Sequence, residues 1–460
     1  MFQSFKSYPF HRFVKLFIVL QPILDILTYF SITYLQLNVT IGILVRVLFM
    51  AVSIFYIFFG NEHRYKKMVT IYLFALFIAI GISFILNLFT KPYFHFFSEV
   101  QYVVKAVYFP TMFCAIMLMF SEQSKNTDRK KELLSAVTIA MTITALSLFT
   151  SIITNTSSNT YTYVKLGFTG WFFAGNELSA IVAVCFPLLF VYSIIQTKAW
   201  KDFIYWIPTI FLAVCALLIG TKVSYLAILA TIIIAVIFTF VYWLINLKNE
   251  KRRTIYQRTF IISLCLAIFY IVITPITPAY LNLTGDYQTI NDALQTEVKE
   301  PDLSNEDVIQ IENDQEKDPF LQSPLLKILL SSRNVYFEQV YTDYVHSSMW
   351  HKFFGLGYAG IYEHSPKLVE MDFFDLFFSF GIIGFLLLIV PIMIVFASMI
   401  KHLVTRVKTF FQPENILLII SIGLGLGVAF FAGHVLYAPA VSIYLAVASV
   451  LLIYNSQLKQ

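Results

Sequence analysis

The sequence predicts an all-α polytopic membrane protein with about twelve transmembrane helices and one large extracytoplasmic loop. Three observations carry that expectation. Apolar residues make up 58% of the 460 and charged residues only 13%, about half the usual share of roughly 25%, so a soluble globule has no way to hide its apolar surface. The apolar residues fall in uninterrupted runs near the roughly 20 residues that a helix needs to cross hydrocarbon. Lys and Arg between the runs fall almost wholly on one side, as the cost of translocating positive charge requires.

Taken in order, the runs cover residues 14–32, 41–59, 68–88, 101–120, 133–152, 177–196, 203–219, 224–246, 259–278, 374–400, 415–433 and 439–455. The first has basic flanks, but it contains Asp25 and lacks a small-residue cleavage site, so it reads as a retained helix and not a signal peptide. The pairs flanking Gly220 and His434 come closest to running together. Cys114, Cys185, Cys215 and Cys265 all lie inside apolar runs and read as small buried hydrophobes. No metal-ligand spacing is visible, and neither a metal nor a cofactor is expected. The net charge of +5 sits on a chain too apolar to be a nucleic-acid binder.

One set of short loops and both termini hold 20 Lys or Arg, whereas the opposite short loops hold only Lys91, Lys165 and Lys222. Both termini are therefore expected in the cytoplasm. Three regions follow: residues 1–278 with nine helices, an extracytoplasmic loop at 279–373, and residues 374–460 with three helices. Residues 279–372 contain 16 acidic and 6 basic residues, net −10, so the rest of the chain carries +15. The acids concentrate in residues 286–318, which are poor in large apolar residues and expected to be a mobile insert. From about residue 320 the loop is aromatic-rich, and Val335, Tyr336, Val340, Tyr341, Tyr344 and Val345 recur at a helical spacing suited to lying against the membrane.

A charge inside a span costs on the order of 2.5 to 3.5 kcal/mol on insertion scales, so each one needs a partner or a polar cavity. Asp25, Arg46, Lys105 and Glu177 are the clearest cases. Asp25 and Arg46 suit a stabilising pair across the first two helices, and Lys105 lies where it can snorkel to the interface.

Three outward-facing clusters add to these. A Gly- and aromatic-rich loop runs into a helix start bearing Asn176 and Glu177, which suits either a helix cap or a site. Lys222 stands at the junction Gly-Thr-Lys-Val-Ser with no acidic neighbour in sequence, and invites an anion. Arg333, the lone arginine of the long loop, has the fork suited to phosphate. Asp372 and Asp375 share one face at the start of the next helix, where the helix N-terminus alone favours them. Cations that hold a diphosphate, beside a carboxylate that takes a proton from an acceptor hydroxyl, suit transfer from a lipid-linked donor.

In this order the features resemble the O-antigen ligase and O-antigen polymerase superfamily of bacterial membrane glycosyltransferases. The matching elements are the Asn-Glu-Leu helix start at Asn176, the Gly-Thr-Lys-x-Ser junction at Gly220, the outside loop, Ser332-Arg333, the Gly-Leu-Gly at Gly355, and the polar residues entering the Gly-Ile-Ile-Gly helix at Gly381. The resemblance implies a metal-independent, GT-C-like transferase on the outer face of the bacterial cytoplasmic membrane. Its donor would be an undecaprenyl-diphosphate-linked oligosaccharide and its acceptor a glycan or lipid-glycan, with other polysaccharide-assembly membrane proteins as further partners. Lys222 and Arg333, with Arg46 as a further cation, would bind the diphosphate. Asp372, His364, Glu370 or Asp375 would serve as base, Asp372 being preferred for its place at the membrane edge. The chain departs from the family in carrying Lys222 where ligases show Arg, and acids where they show a His near an Asn. A carrier of lipid-linked oligosaccharide is the main alternative, since buried charges suit it equally; a cell-wall glycosyltransferase of the shape, elongation and division type is the third.

Overall fold

The structure is a computed structural model that describes residues 7–36, 40–60, 65–121, 127–161, 165–298, 333–362 and 367–457. Among these, twelve helices are long and apolar enough to cross a membrane. They are Phe10–Leu35, Ile41–Phe59, Lys66–Thr90, Phe96–Ser121, Arg129–Ile153, Gly175–Gln196, Trp200–Ile219, Lys222–Ile245, Glu250–Ile276, Asp372–Thr405, Pro413–Phe431 and Pro439–Gln457, numbered spans 1 to 12. Each corresponds to one apolar run. The helices outlast the runs most at span 9, whose first turns are charged, because helical hydrogen bonding continues where apolar composition stops. Spans 7 and 8 are separate because Gly220 adopts φ 79°, a left-handed turn that ends the helix.

Span 6 is apolar on every face and is the centre of the bundle: 94% of its apolar window is buried, against 78% for spans 4 and 12. Close approach is achieved with small residues. A Cβ added at Gly425 of span 11 would lie 2.9 Å from Val184 Cγ2 of span 6, and the Ser421 hydroxyl donates to the Val184 carbonyl at 2.6 Å. Spans 1 and 2 pair through stacked rings, Phe17 on Phe49 at 3.6 Å and Phe10 on Tyr56 at 3.9 Å. The opposite faces of the outer spans expose Leu44, Phe74, Ile78 and Ile237, as lipid-facing surface requires.

Between spans 5 and 6 the Gly- and aromatic-rich loop forms a short antiparallel ribbon, Ser158–Asn159 against Phe168–Gly170. Two expectations for the long loop change. The acidic segment does not begin as a mobile insert: the helix Pro278–Val298 carries its first part, and residues 299–318 lie outside the described residues. The helix Arg333–His346 does not turn its whole apolar face to lipid either. Val340 and Tyr344 are buried with Leu356, Val369, Met371 and Phe378 in a small second core, while Tyr341 and Val345 are exposed.

Gly355 and Gly381 fix how the loop returns to the bundle. After the helix Met349–Phe354, the Leu356 and Gly357 amides donate to the Phe378 and Ser379 carbonyls at 2.9 and 3.1 Å. Span 10 bends there, with Gly381 at φ 63°, ψ −171°. A Cβ at Gly355 would lie 2.2 Å from the Ser379 oxygen, and one at Gly381 2.5 Å from the Phe353 carbonyl carbon. Both positions combine a positive φ with backbone contact, so only glycine fits.

Candidate active site

Four charges that the sequence leaves unexplained inside spans, Asp25, Arg46, Lys105 and Glu177, line one cavity of about 490 Å³. Spans 1, 2, 4, 6 and 12 all contribute, each from the same end of the bundle. Span 2 contributes its first turns (Ile43, Arg46, Val47), span 4 its own (Phe97 to Tyr108), span 6 Glu177 and Leu178, and span 12 Pro439 and Ala440. Span 1 contributes Asp25 and Thr28, near its other terminus, as an antiparallel neighbour must. That end lies opposite the Lys- and Arg-rich loops.

The charges are held differently. Arg46 donates to Asp25 Oδ1 at 2.5 Å and to Gln21 Oε1 at 3.0 Å, the pairing expected across the first two helices. Its guanidinium is therefore fixed in orientation where it meets the cavity. Lys105 and Glu177 make no hydrogen bond or ion pair among the described residues. Glu177 is close enough to interact electrostatically with Asp25, Arg46 and Asp372. Neither Asn176 nor Glu177 is the cap of span 6; Ala174 holds that position, Asn176 is exposed, and Glu177 turns into the cavity. An apolar chamber with a fixed cation, a second cation and a carboxylate, the last two without a hydrogen bond or ion pair among the described residues, suits an anionic head on an apolar tail. An apolar groove of about 380 Å³ between spans 3 and 4 shares Val100 and Val104 with it.

Asp372 and Asp375 lie beside this chamber but do not line it, and both are buried. Asp372 Oδ2 accepts from the Val435 and Leu436 amides at 2.8 and 2.6 Å. Asp375 accepts from the Val369 and Met371 amides at 2.8 and 3.1 Å and from the Tyr437 hydroxyl at 3.3 Å. The expected membrane-edge base is thus an enclosed acceptor for backbone amides. The pair holds the loop leading into span 12, whose Pro439 and Ala440 form part of the cavity wall. Their spacing gave the helix face correctly; the amides that hold Asp372 lie 63 and 64 positions away and have no local signature.

Lys222 and Arg333 already face carboxylates. Lys222 Nζ lies 2.9 Å from Asp286 Oδ2, and Lys165 Nζ 2.8 Å from Oδ1, so the anion that Lys222 invites is supplied by the chain itself. Burial pushes the Asp286 carboxyl up, but hydrogen bonds and charge from the two lysines outweigh it and hold it below its ordinary value. Arg333 lies 3.3 Å from Glu370 Oε2 and donates to the Ala432 carbonyl at 3.4 Å. His364 lies outside the described residues.

Three polar residues escaped the sequence reading. Asn282 receives the Leu166 amide at 3.0 Å and donates to the Leu166 and Gly220 carbonyls, locking the junction before span 8. Lys91 and Glu99 form a buried pair at 2.6 Å that grips the loop after Gly357: Lys91 donates to the Tyr358 carbonyl at 2.6 Å and Glu99 accepts from its amide at 2.8 Å. Burial pushes the Lys91 ammonium below its ordinary value, against the opposing pull of Glu99. Glu99 stands six residues before Lys105 on span 4, so the same helix holds this loop on one face and the cavity on another.

The family model described as O-antigen ligase like membrane protein matches residues 7–459. A comparison with curated proteins found no match.

Proposed function

This chain belongs to the family of O-antigen ligase like membrane proteins, and from that premise we propose that it transfers a glycan from a lipid-diphosphate donor to a hydroxyl acceptor in the Asp25–Arg46–Lys105–Glu177 cavity. Membership gives a role in surface polysaccharide assembly as a glycan-transferring membrane enzyme. The observation that carries the site is the convergence of four costly intramembrane charges on one amphipathic chamber.

In this reading the donor is an undecaprenyl-diphosphate-linked oligosaccharide held from the outer leaflet. Its polyprenyl tail lies along the apolar groove between spans 3 and 4, and its diphosphate enters between Arg46 and Lys105. Arg46, oriented by Asp25 and Gln21, and Lys105, on its flexible stem, offset the charge that grows on the diphosphate. The acceptor oxygen attacks the anomeric carbon. The bond from that carbon to the phosphate oxygen breaks and the diphosphate leaves with the electron pair. The hydroxyl proton passes to Glu177, the cavity carboxylate with no hydrogen bond or ion pair among the described residues. Asp372 and Asp375 act here by shaping the loop before span 12, and Lys222 and Arg333 by tying the outside helices to the bundle.

Donor binding tests the assignment of the cations. In lipid nanodiscs, undecaprenyl diphosphate should raise the melting temperature of the wild type and protect Lys105→Met far less, with binding weakened by roughly tenfold or more. Equal protection of both proteins would remove Lys105 from the site.

A further inference from the structure

Seven consecutive residues between spans 5 and 6, 154–160, read Thr-Asn-Thr-Ser-Ser-Asn-Thr: hydroxyl and amide side chains only, with no charge. Thr154, Asn155, Thr156 and Asn159 are exposed. The ribbon then leads to Trp171, Phe172 and Phe173. Phe173 is 65% exposed and lines the charged cavity, so this surface is continuous with its mouth.

Trp171 and Tyr29 are held in place there by polar anchors. The Trp171 indole donates to Thr156 Oγ1 at 3.0 Å, and its ring lies 5.9 Å from Phe30. Phe30 stacks on Tyr34 at 5.7 Å, and Tyr34 is 69% exposed. The Tyr29 hydroxyl hydrogen-bonds the Ser158 hydroxyl at 2.8 Å, and the Gly170 amide donates to Ser157 Oγ at 3.0 Å, tying the ribbon to span 1 and to itself. Sugars present C–H faces that pack on aromatic rings and a rim of hydroxyls that both donate and accept. Exposed rings bordered by Thr, Ser and Asn match both demands, whereas an anionic headgroup would call for cations.

We propose that residues 154–160 together with Trp171, Phe173 and Tyr34 form a carbohydrate-binding platform that holds neutral sugar residues of a glycan at the mouth of the cavity. This deepens the reading of the cavity as a glycan-transfer site and rests on it for the glycan's identity as substrate.

The test is retention on a microbial glycan array of the full chain in phosphatidylcholine nanodiscs. The wild type should retain at least one neutral glycan, and the double variant Trp171→Ala/Phe173→Ala should bind it roughly tenfold more weakly. Trp171→Phe, which keeps a ring, should stay within about threefold, and Tyr34→Ala, whose side chain anchors nothing in the ribbon, should weaken retention by about threefold or more. These two variants keep the test decisive should the double variant lower the melting temperature. No retained glycan, retention of acidic glycans alone, or equal retention by all variants would overturn the platform. Transfer from a lipid-linked donor is scored separately: transfer with glycan binding indifferent to Trp171 sinks the platform and leaves the transferase reading, while Trp171-dependent binding without transfer does the reverse.

Discussion

Glu177 faces the cavity with no hydrogen bond or ion pair among the described residues, so removing its charge should disturb chemistry more than structure. Glu177→Gln is expected to lower turnover by about 10²- to 10⁴-fold with little change in melting temperature, read from steady-state transfer and thermal unfolding of the same preparation. Asp286 gives a pH prediction. Its folded carboxyl titrates below its unfolded value, near 3.9, because Lys165 and Lys222 favour the charged form. The bridge therefore stabilises above the unfolded value and is lost as pH falls through the folded one. The melting-temperature gap between wild type and Asp286→Asn should persist at neutral pH and close as pH falls below about 4; a gap unchanged across that range would remove the bridge from the account. At this scale the sequence was half legible. Asp25 and Arg46 announced their pairing because both are charges in adjacent spans. Lys222 and Asp286 did not, because their 64-residue separation hides the contact, and the amides that enclose Asp372 belong to the distant residues Val435 and Leu436.

The helices themselves were the most legible layer, since hydrocarbon leaves a spanning segment no other way to satisfy its backbone. What composition missed was the irregular backbone that joins them. The ribbon at Ser158–Asn159 and the bend at Gly381 are built from carbonyl and amide contacts that carry no periodicity. Gly381→Ala should cost more than about 1 kcal/mol, because it forces a Cβ against the Phe353 backbone at an unfavourable φ; denaturation in mild detergent measures it. Lys91→Met leaves Glu99 buried without its cation, and should destabilise by about 3 to 5 kcal/mol. Lys91→Met/Glu99→Gln should recover part of that loss, and a double variant no better than the single would show that the pair is not the source.

At the scale of the whole molecule, the twelve candidate spans among the described residues, an even number, would put the two termini on one side. The distribution of Lys and Arg predicts that this side is the cytoplasm, which reporter fusions at both ends should register. The same expectation puts the cavity on the far side, opposite the Lys- and Arg-rich loops. The twelve spans were readable from composition, whereas the cavity appeared only once spans 1, 2, 4, 6 and 12 were brought together. The most direct measurement of the central claim is the product profile of the purified protein given an undecaprenyl-diphosphate-linked repeat unit and a glycan acceptor. Wild-type protein should release undecaprenyl diphosphate in step with a new glycosidic bond, and Glu177→Gln, bound to the same donor, should do neither. Release and bond formation that proceed unchanged in Glu177→Gln, or a folded wild type that binds donor and leaves it intact, would contradict the account.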